Sequence, residues 1–121
     1  MKSGPAGRTH AEQPRVQVAN AMSEADVDRH VFLLAKALKV YAYHPRISIG
    51  SKKGWPDWSL IGTGGMIFRE NKSASGKCTP EQRAVGYALQ ALGMDWDVWR
   101  PADVISGRIE RELRALVKVR V

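Results

Sequence analysis

The quartet Gly62-Thr63-Gly64-Gly65 is the strongest constraint on what this chain can fold into. It stands between Trp58-Ser59-Leu60-Ile61 and Met66-Ile67-Phe68, two short apolar runs, and a glycine-rich link of that length turns a β-hairpin. With Thr63-Gly64 as the turn, Gly62 faces Gly65, and counting back along both arms brings Asp57 opposite Glu70. A four-residue loop leaves the same register. Opposed residues of an antiparallel pair hold their Cβ atoms roughly 4.5–5.5 Å apart, so the two carboxylates come within reach of one cation. Strand alternation places Lys72 on the same face as Glu70.

That set of residue types suits phosphodiester hydrolysis. Two carboxylates so close repel unless a cation sits between them, and an all-oxygen donor set favours a hard ion, Mg2+ or Mn2+. Such an ion lowers the pKa of water and neutralises charge developing on the scissile phosphate. Lys72 is placed to orient the water or to stabilise the transition state. Gln82 has two readings. It falls in Thr79-Pro80-Glu81-Gln82, a helix start with Thr79 as N-cap and Pro80 at the first helical position, where a capping-box residue is expected at Gln82. The spacing leaves helix cap and chemistry both open.

The residues Ser23-Glu24, Gly54-Trp55-Pro56-Asp57, Glu70-Asn71-Lys72, Gly76-Lys77, Thr79 to Gln82, Gly93 and Val98-Trp99-Arg100-Pro101 follow one another in a specific order and spacing. In this they resemble a stand-alone virus-type replication-repair nuclease (VRR-NUC) domain, a branch of the PD-(D/E)XK nuclease superfamily. The resemblance spans about Ser23 to Leu116. It implies Asp57 and Glu70 as metal ligands, the main-chain carbonyl of Asn71 as a third, Lys72 as the catalytic lysine and Gln82 as an active-site residue. It also implies that Glu24, on the first helix, approaches the metal. Arg69 and Asn71 depart from the small or aliphatic residues usual around the Glu, and about twenty N-terminal residues have no counterpart.

Length and composition are compatible with this. A chain of 121 residues builds one domain with its own core, and 44% hydrophobic residues with four Trp argue for a folded one. The net charge of +7 favours a polyanionic partner. The single cysteine, Cys78, excludes an internal disulfide framework and fits a reducing compartment. No apolar stretch approaches the roughly 20 residues of a membrane span, so the expected location is the cytoplasm, of a bacterium or of a phage host.

Residues 1–21 lack sustained periodicity and read as a flexible, basic tail, leaving 22–121 as the nuclease domain. Ser23 caps a helix with Val27, Val31, Leu34 and Leu38 at helical spacing, running to about Lys39. Val40 to Tyr43 reads as a strand, and residues 46–53 as a basic loop leading to Asp57. After the hairpin comes a helix over about 80–92, presenting Val85, Ala88, Leu89 and Leu92 and closed by Gly93. Trp96 to Trp99 is a last strand. Ser106 caps a final helix with Ile109, Leu113, Leu116 and Val117 on its apolar face. The expected fold is α/β, a mixed sheet flanked by helices in the order αβββαβα, the PD-(D/E)XK restriction-endonuclease-like core that the resemblance implies.

Lys52, Lys53 and Lys77 border the carboxylates and are the candidate DNA contacts; solvated loop charge is the alternative. Arg108, Arg111, Arg114 and Lys118 fall opposite the last helix's apolar stripe and read as a solvent face. Trp58 alternates away from Asp57, with Arg69 across from it, so core packing or a cation–π contact is expected there. His44 carries no functional signal. The expected activity is a metal-dependent DNA endonuclease on branched DNA. The resemblance implies a homodimeric Holliday-junction resolvase, whose two symmetric incisions need two sites. The competing functions are a non-catalytic nucleic-acid-binding module of the same fold and a flap or restriction-type nuclease.

Overall fold

A computed structural model describes residues 12–45 and 53–118 of the chain. Lys52, Ile47 and Ile49, with the rest of the basic loop over 46–52, lie outside the described residues. Helices α1 (Glu12–Ala21) and α2 (Glu24–Leu38) lead into strand β1 (Tyr41–Tyr43). Strands β2 (Trp58–Gly62) and β3 (Gly65–Asn71) form the hairpin, and helix α3 (Pro80–Ala91) crosses to β4 (Asp95–Trp99). Helices α4 (Pro101–Ile105) and α5 (Arg108–Leu116) follow. The strands make one mixed sheet in the order β1-β2-β3-β4, antiparallel except for the parallel β3–β4 pair. This is the α/β architecture expected, a mixed sheet flanked by helices.

The hairpin has the expected register, with Gly62 paired to Gly65 and Trp58 to Arg69. Side-chain alternation then gives the sheet two unlike faces. Trp58, Leu60, Ile67 and Trp99 point to one face and meet Val27, Val31 and Ala35 of α2 and Ile109, Leu113 and Leu116 of α5, all buried. Burying each such side chain stabilises the fold by about 1.5–3 kcal/mol, so this layer is the core. The other face carries Tyr41, Tyr43, Ile61, Phe68 and Trp96, and α3 packs against it on the β4 side. There the helix comes so close that a Cβ on Gly86 would lie 2.3 Å from Trp96 Cε2.

Both long helices begin as expected. Ser23 and Asp26 exchange hydrogen bonds at the start of α2, as Thr79 and Gln82 do at the start of α3. Gly93, at φ +81°, takes the left-handed conformation after α3.

Several expectations are corrected. Residues 12–21, read as tail, form α1, which packs on α4, with Val16, Ala19, Ala102 and Ile105 lining a cavity between them. The apolar residues of α1 do not fall on one face, and Val18 is exposed, so there is little periodicity to detect. The α3 face is also shifted: Gly86 is its buried residue, while Leu92 is 79% exposed. A contact made by the absence of a side chain has no hydrophobic signature. The final helix divides in two, with Ser106 closing α4 and Gly107 preceding α5. Trp99, at the end of the last strand, is core at 0% exposure.

Arg69 does not stack on Trp58. It is 3% exposed and lies over the Trp99 ring, 5.4 Å from its centroid. Its guanidinium pairs with Glu112 at 2.9 Å and with Asp95 at 2.9 Å. Glu112 also accepts from Trp99 Nε1 at 2.9 Å and from Arg108 Nε at 2.7 Å. Burial alone would raise the Glu112 pKa, but Arg69, Arg108 and Trp99 together hold it below the ordinary carboxylate value. Arg108, read as part of a solvent face, instead ties α5 to Asp97 and Asp103. A buried charge that loses its partner is costly, so Glu112→Ala lowers unfolding free energy by roughly 3 kcal/mol in a denaturant titration. The double variant Arg69→Met/Glu112→Leu recovers most of that loss. A Glu112→Ala variant as stable as the parent would contradict this account of the network.

Candidate active site

Asp57 lies just ahead of β2, one residue beyond the paired ladder. Its Oδ2 accepts from the main-chain N–H of Asn71 at 2.8 Å, which fixes the carboxylate across the hairpin as the register requires. Gly54 supplies the bend into this segment, at φ +94°, and a Cβ there would lie 2.5 Å from the Glu81 carbonyl at the start of α3. Only glycine fits that approach without strain. Glu70, the penultimate residue of the hairpin's second arm, is 1% exposed. Its Oε2 accepts from Gln82 Nε2 at 2.7 Å and stands 3.7 Å from Lys72 Nζ. The four residues expected to act together, Asp57, Glu70, Lys72 and Gln82, are brought together.

Gln82 resolves its two readings by doing both things. Its Oε1 accepts from the Thr79 N–H at 2.9 Å, completing the helix cap, while its Nε2 donates to Glu70. The cap therefore aims the amide at the carboxylate. A capping-box glutamate could not make the second bond.

The electrostatics of Glu70 are unusual. Burial first, and then the nearby Asp57 carboxylate, raise its pKa to about 8 against the opposing pull of Lys72. The second oxygen, Oε1, is buried and has no hydrogen-bond partner. A buried carboxylate oxygen left unpartnered beside a second carboxylate is a vacant acceptor for a cation. The donor set of Asp57 and Glu70 thus fits the hard divalent ion expected. Among the described residues no cluster of three or more His, Cys, Asp or Glu side chains is arranged to hold a metal; the candidate site has two such carboxylates, with the Asn71 carbonyl as the further expected donor. Glu24, in the first turn of α2, stands at the rim. Its pKa is raised by partial burial, and Lys72, Asp57 and Asp28 are close enough to act on it.

Two supporting residues were missed by the sequence reading. Asp28 Oδ1 accepts from Trp58 Nε1 at 3.1 Å and from Asn71 Nδ2 at 2.6 Å, linking α2 to the ends of β2 and β3. His44 stacks on Trp58, ring centroids 4.3 Å apart, with Nε2 3.9 Å from Asp28 Oδ2. Its Nδ1 meets the Asp57 main-chain carbonyl at 2.5 Å. A carbonyl only accepts, so Nδ1 carries a proton. His44 therefore anchors the backbone of the candidate ligand Asp57. The signal available was its position directly after a strand that pairs with β2, which is too slight to separate it from a surface histidine.

Arg100 explains part of the Trp-Arg-Pro segment. Its Nη1 donates to the carbonyls of Ser73 at 2.7 Å and Gly76 at 2.6 Å, clamping the loop that follows Lys72. Cys78 in that loop is less reactive than a free thiol, because burial pushes its pKa up. Lys53 and Lys77 are exposed on the segments flanking the carboxylates. No helix among the described residues is long and apolar enough to cross a membrane.

No model of a protein family matches this chain, and no curated protein proves similar to it.

A carboxyl whose folded pKa exceeds its unfolded value of 4.5 binds more protons when folded between pH 4.5 and about 8. Stability from Glu70 is thus fully present below pH 4.5 and is lost as pH rises through about 8. In chelator at pH 8.5, Glu70→Gln removes this penalty and keeps an acceptor for Gln82. Its Tm should exceed the parent's by roughly 5 °C, the shift a change of about 1 kcal/mol produces in a domain this size. The difference should vanish near pH 4.5. A Tm difference independent of pH would contradict the burial argument.

Proposed function

We propose that the chain is a metal-dependent endonuclease that hydrolyses DNA phosphodiester bonds, a virus-type replication-repair nuclease built on the PD-(D/E)XK core. The observation that carries this reading is Glu70: a buried carboxylate with one oxygen on Gln82 and Lys72, and the other unpartnered beside Asp57. Asp57, Glu70 and the Asn71 carbonyl are the residues to hold Mg2+ or Mn2+. That ion supplies Lewis acidity, lowering the pKa of water and drawing charge from the phosphate. Lys72, almost buried, brings a fixed cation to where negative charge grows in the transition state, where low dielectric makes it count most. Gln82 orients Glu70 and shields its charge. His44 and Asp28 hold Asp57 in place.

The proposed substrate is branched DNA, cut by a homodimer. One site per chain breaks one strand, and a two-fold dimer supplies the paired incisions that a four-way junction requires. Lys53 and Lys77 are the described candidates for phosphate contacts, together with Lys52.

A cleavage panel of four-way junction, flap, splayed arm and linear duplex tests this reading. Cleavage should require Mg2+ or Mn2+ and fail with Ca2+, which tolerates looser geometry. Asp57→Asn, Glu70→Gln and Lys72→Ala should each reduce it at least 100-fold, the scale of losing one electrostatic contributor, with DNA binding retained. Gln82→Glu keeps an oxygen for the Thr79 cap but sets a third carboxylate against Glu70, so cleavage should fall there too. Full activity in chelator would refute the metal mechanism. Flap cutting by a strict monomer would move the substrate from junctions to flaps.

A further inference from the structure

Among the described residues, the sheet face that carries Glu70 and Lys72 is covered on one side only. α3 occupies its β4 side, and on the β1 side Tyr41 is 66% exposed, Tyr43 53% and Ile61 40%. Tyr43 pairs with Ser59 and Tyr41 with Ile61, so these side chains share one face of β1 and β2. Ser59 pairs in turn with Phe68, two residues before Glu70 on β3. The tyrosine rows therefore continue the row of the candidate carboxylates, spaced about 7 Å apart along the strands. Trp55, 46% exposed and edge-on to Phe68, borders the same face beside Lys53.

We infer that Tyr41 and Tyr43 form a stacking platform for unpaired bases of a DNA strand entering the Asp57–Glu70 site. The inference rests on the nuclease reading for its substrate and adds to it: the strand to be cut is single-stranded on the side facing β1. Three observations favour this occupant. The platform is continuous with the site that would receive the phosphate. A chain of net charge +7 attracts a polyanion. Tyrosine faces offer unpaired bases a sequence-tolerant contact that paired, stacked bases in a duplex cannot reach.

The test compares binding of a fluorescein-labelled oligothymidine with binding of a blunt duplex of equal length, by anisotropy in chelator with the full chain. Both tyrosines are exposed, so Tyr41→Ala/Tyr43→Ala should melt like the parent. It should bind the single strand roughly 30-fold more weakly, the loss of about 1 kcal/mol of stacking at each of two bases, and the duplex within about threefold of the parent. Tyr41→Phe/Tyr43→Phe, which keeps both rings, should restore single-strand affinity. Unchanged single-strand binding in the alanine variant overturns the platform, as does an equal loss on duplex. Sedimentation serves the same end: a dimer that becomes a monomer in the alanine variant, with binding per chain unchanged, makes this face a contact between copies and overturns it. Because the readout is binding, tyrosine-dependent capture by a chain that cuts nothing would uphold the platform and refute the nuclease. Cleavage with tyrosine-independent binding would do the reverse.

Discussion

Four consecutive polar side chains at the end of β3 are buried: Arg69 at 3%, Glu70 at 1%, Asn71 at 0% and Lys72 at 8% exposure. Buried polar groups must be partnered or they cost more than the fold can spare, and three of these each draw a different helix to the strand. Alternation sends Arg69 and Asn71 to the helical side, where Glu112 of α5 and Asp28 of α2 receive them. It sends Glu70 and Lys72 to the other side, where α3 offers Gln82. The departures from small residues at Arg69 and Asn71 are thus structural. They fasten the helices to the strand that carries Glu70.

The same arrangement separates stability from chemistry. On the helical face Arg69 and Arg108 meet Glu112 and hold it ionised. On the other face two carboxylates meet with one lysine between burial and solvent, and one oxygen of Glu70 has no partner. Strain of that kind persists where function retains it, and a divalent cation is the simplest group to relieve it.

The hairpin register, the Asp57–Glu70 pairing, the helix starts at Ser23 and Thr79 and the core faces of α2 and α5 were legible because each depends on neighbours in sequence. A period of two or of 3.6 and a two-residue turn need no tertiary information. What escaped the reading depends on contacts between distant segments. His44 is an anchor only because β1 lies against β2, bringing residue 44 to Asp57 and Asp28. Arg108 and Glu110 both look like solvent-facing charge on α5. Arg108 reaches across to Asp97 and Asp103, whereas Glu110 pairs with Arg114 on its own helix. Gly86 packs by lacking a side chain, and α1 docks on α4 with no regular apolar face. The two roles of Gln82 were each visible, but that one amide performs both follows from the distance between α3 and β3.

The central claim is that Asp57 and Glu70 form a site for a hard divalent cation. Calorimetric titration of Mn2+ into the DNA-free protein tests it most directly, since it needs no substrate and no knowledge of which DNA is cut. The account predicts saturable binding by the parent chain, its loss in Asp57→Asn and in Glu70→Gln, and its retention in Lys72→Ala. Equal Mn2+ affinity in the parent and both carboxylate variants would contradict it.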